Sequence, residues 1–161
     1  MKSYFLNFKQ TFILCLLLAG SSLSAQTAWE SRMFFNRTHV AISKVEKEMY
    51  YAKDAGNSAE IKKAIKYQVI ALNLFKQNNF KDAVGYSYKA RALCIELCTK
   101  MGISEGSFYA LNDEEKAYCK PDDYTQLAFK PSLLTPAQTK QIDELDILNP
   151  AKFFEIDLYI K

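Results

Sequence analysis

Three cysteines and one histidine carry most of the reactive chemistry available to this chain. Cys94, Cys98 and Cys119 follow the first cysteine, Cys15, and His39 is the single histidine. Cys94 and Cys98 are four residues apart, so on a helix they share a face. In an oxidising compartment Cys119 can bridge to Cys94 or Cys98, which would leave one thiol free. A buried cysteine can equally be a small hydrophobe. The four ligand types His39, Cys94, Cys98 and Cys119 suit zinc, but the paired spacing of a zinc module is absent, so metal is the lesser alternative and no cofactor is expected.

Other catalytic signatures are missing. There is no nucleophile elbow, no His-Glu-x-x-His, no phosphate loop and no dinucleotide glycine pattern. Asp122-Asp123 and the group Asp143, Glu144 and Asp146 lack the spaced loop and turn glycine of a calcium site and read as solvated. Asn36-Arg37-Thr38 matches a glycosylation sequon inside a helical pattern. These residues predict a protein that is not an enzyme.

The elements that must position these groups begin after an address. Residues 1–25 have lysines at 2 and 9, an apolar core Phe12–Ala19 and small residues ending at Ala25. That is a secretory signal peptide, cleaved after about Ala25, and its core is shorter than the roughly 20 apolar residues of a membrane span. The expected location is the bacterial periplasm or the outside of the cell, with no transmembrane span in the mature chain.

Charge then divides the mature chain. Residues 26–102 hold 13 Lys/Arg against 7 Asp/Glu, whereas residues 103–161 hold 6 against 11. Opposite charge in one chain suggests that the acidic segment packs on the basic one, and a partner-binding tail is the alternative. The whole mature chain has 19 basic and 18 acidic side chains, so its charge provides no argument for nucleic acid.

Residues 26–102 carry helical periodicity. A first helix is expected from about Thr27 to Lys53, with Phe35, Ile42, Val45, Met49 and Ala52 on one inward face and Gly56 as a left-handed cap. Ser58 is expected to cap a second helix, with Ile61, Ile65, Leu72 and Phe75 on its stripe. Asn78-Asn79 ends it. A third helix carries Ala83, Tyr86, Ala90, Leu93, Leu97 and Met101 and closes at Gly102. Short connections make neighbouring helices antiparallel.

Leu72–Ala83 followed by Tyr86-Ser87-Tyr88-Lys89-Ala90 resembles the centre of a tetratricopeptide repeat. Phe75 and Phe80 match the aromatics about its turn, and Ala83 and Ala90 match its small residues seven apart. The resemblance covers about residues 64–97, in a degenerate form with no second copy. It implies an all-α fold: three long antiparallel helices in a bundle of tetratricopeptide-like character, followed by a tail of mixed short-helix and extended structure.

In that tail, Asn112 and Glu115 form a capping-box pattern. Lys130-Pro131 marks an extended joint, and Thr135-Pro136 starts a short helix through about Leu145. Residues 151–161 alternate like a strand but follow a helix-start signal at Asn149-Pro150, so both readings stand.

The function expected from these features is an exported helical adaptor that contacts another envelope protein. Tyr67, Tyr86, Tyr88 and Arg91 are the candidate contact residues, because aromatics and arginine dominate binding energy. Lysines on the second and third helices fit a solvated face, an acidic protein or peripheral contact with anionic lipid. The alternative is a small-ligand or metal-binding bundle with a pocket among tyrosines on the face of Cys94 and Cys98.

Overall fold

The computed structural model describes residues 4–104, 109–149 and 158, with side chains from residue 28 onward. It is all-helical, with no strand among the described residues. Three long helices pack together: α1 (Tyr4–Ala52), α2 (Ser58–Lys76) and α3 (Phe80–Lys100). Two short helices follow, α4 (Asp113–Tyr118) and α5 (Pro136–Asp143), with 3-10 turns at Pro121–Tyr124 and Pro131–Leu133 between them. The expected start of the first helix at Thr27 is not a boundary, because α1 is continuous across it.

The three-helix core uses the expected stripes. Phe35, Ile42, Val45 and Met49 of α1 are fully buried, as are Ile61 and Ile65 of α2 and Ala83 and Ala90 of α3. The Phe75 and Phe80 rings lie 5.2 Å apart across the α2–α3 turn, and Phe75 also meets Phe35 edge-on at 5.5 Å. Small residues at 83 and 90 let α3 approach closely, and the aromatics fill the mouth of the hairpin.

Helix ends follow local chemistry, with two corrections. α1 is closed by Lys53 at φ 52°, not by Gly56. Gly56 instead donates its N–H to the Asp54 carboxylate at 2.8 Å, in an Asx turn that the Asn57 amide completes at 2.7 Å. Ser58 is the first helical residue of α2, and its cap position is Asn57. Asn78 ends α2 at φ 61°, and Asn79 caps α3 by accepting from the Asp82 N–H. Asparagine visits this left-handed region at lower cost than most side chains. Gly102, at φ 66°, closes α3 as expected.

The acidic tail folds back along the hairpin. Lys66 pairs with the Asp143 carboxylate at 2.7 Å, and Lys62 donates to the Asp143 carbonyl at 2.7 Å. Asn73 donates to the Leu133 carbonyl at 2.9 Å, and Lys89 to the Thr125 carbonyl at 3.1 Å. Tyr124, Leu134, Ile142, Leu145 and Ile147 are buried beneath this strap. Both capping boxes form: Asn112 with Glu115, and Thr135 with Gln138. The α5 helix ends at Asp143, two residues before the expected end. The Asn149-Pro150 signal and most of residues 151–161 lie outside the described residues. Leu158 is described, and it is buried.

Gly85 makes the strap possible. It sits inside α3, where glycine costs helix stability. A Cβ there would lie 2.5 and 2.8 Å from atoms of the Tyr124 ring, and 3.2 Å from Leu127. The missing side chain is therefore a seat for Tyr124. We expect Gly85→Ala to destabilise the fold by about 1–3 kcal/mol in urea titrations despite its better helix propensity, because overpacking outweighs the propensity gain. In a Tyr124→Ala background the same substitution should become neutral or stabilising.

Candidate functional site

The most organised polar constellation is buried between α1, α2, α3 and the tail. Its centre is Arg91, 1% exposed, on α3. Its Nη1 donates to both oxygens of the Glu115 carboxylate, at 2.9 and 3.0 Å. Its Nη2 donates to the Phe34 carbonyl at 2.9 Å, and its Nε reaches Thr38 Oγ1 at 3.1 Å. The guanidinium also lies over the Phe34 ring, 4.0 Å from the centroid. Arg37 donates to Glu115 from the other side and to the Ala110 carbonyl at 3.2 Å.

Helix geometry explains the convergence. Thr38 lies four residues before Ile42 and four after Phe34, so it falls in the apolar stripe of α1. Arg91 lies four residues after Ser87 and three before Cys94, in the stripe of α3 that faces α1. Glu115 is held by its own capping box: its backbone N–H donates to Asn112, and its carboxylate accepts from the Asn112 N–H at 3.0 Å. One carboxylate thus starts α4 and closes the charge of Arg91.

A second layer continues the network. Ser87 Oγ lies 2.8 Å from Gln68 Oε1 and 3.0 Å from Thr38 Oγ1. The amide oxygen can only accept, so the single Ser87 proton goes to Gln68. Gln68 then donates from Nε2 to the Phe35 carbonyl at 3.2 Å and to the Leu158 carbonyl at 3.0 Å. Leu158 is tied to α2 in this way. Burial lowers the Arg91 pKa, and Glu115 pulls it back.

The expected contact residues are therefore reassigned. Tyr67, Tyr86 and Arg91 are buried, not surface contacts, and Tyr88 is half-buried. Each serves the chain's own tail. Tyr86 donates to the Ala128 carbonyl at 3.0 Å, Tyr67 meets Phe129 at 5.4 Å, and Tyr88 meets Tyr124 at 6.1 Å. The physical reason is that α2 and α3 are covered on the side away from α1 as well. Residues 67–72 are buried without a break, which a two-sided amphipathic reading does not anticipate.

The cysteines are also reassigned. Cys94, Cys98 and Cys119 are buried and none is joined in a disulfide, so the Cys119 bridge to Cys94 or Cys98 is not formed. Among the described residues no three of His, Cys, Asp or Glu gather as metal ligands, so the set His39, Cys94, Cys98 and Cys119 is not assembled. The face carrying Cys94 and Cys98 is filled by protein, with the Tyr109 hydroxyl bonded to Cys98. The ligand pocket expected among tyrosines is therefore occupied. Burial pushes the Cys94 thiol well above its usual range and Cys119 up to about 12, which suppresses thiolate chemistry.

Glu46 is the site residue that the sequence reading missed. It is 3% exposed on α1, near Cys94. None of the described residues pairs with its carboxyl, and burial raises its pKa to about 8. It is thus largely protonated at neutral pH. Recesses are open among the described residues. One is lined by Glu30, Phe80, Lys81, Val84, Tyr118 and Tyr124, and another by Tyr50, Tyr51, Lys53 and Leu148. Compared with known protein families, with curated proteins and with solved structures, the chain has no match.

Two outcomes follow. Arg91→Met leaves buried Glu115 with the half-buried Arg37 as its remaining cation and should cost about 2–3 kcal/mol, below the figure for a fully unpaired buried charge. Replacing both partners with apolar residues should cost less than the single change, as read from paired urea titrations. The Glu46 pKa is raised relative to the unfolded chain, so its contribution to stability is full below pH 4.5 and declines until pH passes about 8. Over that window stability should fall by up to about 1.4 kcal/mol per pH unit, and Glu46→Gln should flatten the slope.

Proposed function

We propose that the chain is an exported, non-enzymatic helical adaptor that contacts another protein of the cell envelope. The observation that carries this reading is which surfaces are used and which are open. Residues 109–149 cover the face of the α2–α3 hairpin, whereas among the described residues the large exposed hydrophobic side chains Trp29, Met33, Val40, Tyr50 and Tyr51 all belong to α1. Buried thiols of raised pKa and a buried neutral acid suit a scaffold better than a nucleophilic site.

The protein-contact site is the recess at the C-terminal end of α1. Tyr50 and Tyr51 are 40% and 66% exposed, with ring centroids 5.5 Å apart. Lys47 approaches the Tyr51 ring at 5.8 Å, and Lys53 and Leu148 complete the wall. Paired tyrosines beside cations are the residue types that anchor interfaces. A partner with an acidic residue beside an apolar one would fill this recess.

A photo-crosslinking residue at Tyr51, compared with one at exposed Lys63, tests this in native envelopes. Crosslinking to one defined protein from position 51 alone is expected, and Tyr51→Ala should weaken that complex about tenfold or more. A chain that crosslinks to nothing and migrates at its own mass would refute the adaptor reading.

A further inference from the structure

We infer that the outer face of α1 is a docking stripe for an anionic lipid surface. The proposal goes beyond the adaptor reading and does not depend on it. Between Trp29 and Glu48 the exposed residues of α1 are Trp29, Arg32, Met33, Val40, Lys44, Lys47 and Glu48. Three are apolar, three cationic and one acidic, which leaves a cationic excess. Glu46, in the same stretch, points inward and is 3% exposed. Trp29, Met33, Val40, Lys44 and Lys47 follow helical steps of four, seven, four and three residues, so they form one straight stripe about 27 Å long.

The composition selects the occupant. Trp29 is 58% exposed and Met33 45%. Water is a poor environment for that much apolar surface on neighbouring turns of a helix. Tryptophan sits stably where one edge of its ring is wet and the other apolar, as at a headgroup layer. Lysine and arginine stems can lie along the same layer while their heads reach phosphate. A second copy laid on the stripe in parallel would set Lys44 and Lys47 against their own counterparts, and an antiparallel copy is told apart by the test below. Trp29, Met33 and Val40 stand out from α1 as a ridge of exposed side chains, which suits a yielding surface. An acidic protein shares the charge chemistry but needs concave walls of its own to hold the ridge.

Trp29 is the single tryptophan of the sequence, which makes it a native probe. The full chain, with its leader kept or removed as the cell leaves it, is mixed with vesicles of phosphatidylglycerol and phosphatidylcholine in equal parts, or of phosphatidylcholine alone. Expected are a blue shift of Trp29 emission and co-sedimentation with the anionic vesicles only, both weakened by salt. Lys44→Gln and Lys47→Gln should each lower the vesicle affinity about fivefold, with helicity unchanged. No binding to anionic vesicles overturns the proposal. So does equal binding to neutral vesicles, which would trace to the apolar run Phe12–Ala19. A Trp29 emission already blue-shifted in a vesicle-free dimer overturns it as well, since a second copy would then cover the stripe.

Discussion

The Arg91–Glu115 ion pair is the interaction on which the rest of the structure depends. Arg91 stands where α3 faces α1, and its guanidinium is almost wholly removed from water. A guanidinium cannot neutralise itself by losing a proton at any ordinary pH, so it must be paired and hydrogen-bonded where it stands. Glu115 meets two of its donor directions, and the Phe34 carbonyl and the Thr38 hydroxyl meet the others. The pair thus joins elements far apart in sequence, and α4 is placed against the bundle by the charge it closes.

The surrounding polar groups extend the same constraint. Ser87, Thr38 and Gln68 would each be costly inside the core if left unbonded. Arranged together, they satisfy one another and borrow the second lone pair of two α1 carbonyls, those of Phe34 and Phe35. Gln68 gives its second amide proton to the Leu158 carbonyl, so that residue is held by the centre of α2. Such directional demands select one packing register among the several that apolar stripes alone would allow.

This architecture also sets which surfaces remain for function. The face of the α2–α3 hairpin is covered by residues 109–149 of the same chain. Lys62, Lys66 and Lys89 are engaged by that strap and its carbonyls. Surface available to other molecules therefore shifts to α1, which packs on α2 and α3 and also carries exposed Trp29, Met33, Val40, Tyr50 and Tyr51. The recess at Tyr50 and Tyr51 and the stripe from Trp29 to Lys47 both belong to α1.

Much of the secondary structure was legible in the residues themselves. Apolar spacing along Phe35–Met49, Ile61–Phe75 and Ala83–Leu97 specifies helices because each stripe must be buried at a 3.6-residue period. Asn112, Thr135 and Gly102 specify helix ends through hydrogen bonds or a left-handed turn that only nearby atoms decide. The roles of Arg91, Tyr67 and Tyr86 were not legible, since a long polar or amphipathic side chain reads as exposed until its partner is known. The partners lie 24 residues away for Arg91 and Glu115, and 42 for Tyr86 and Ala128. Gly85 and Glu46 belong to the same class: one matters through a tail ring that rests on it, the other through walls supplied by neighbouring helices. The sequence by itself determined three amphipathic helices and their caps, because those depend on short-range periodicity and local hydrogen bonding. Tertiary structure alone decided which polar groups are buried and which helix face stays open, because burial depends on what distant segments pack above each residue.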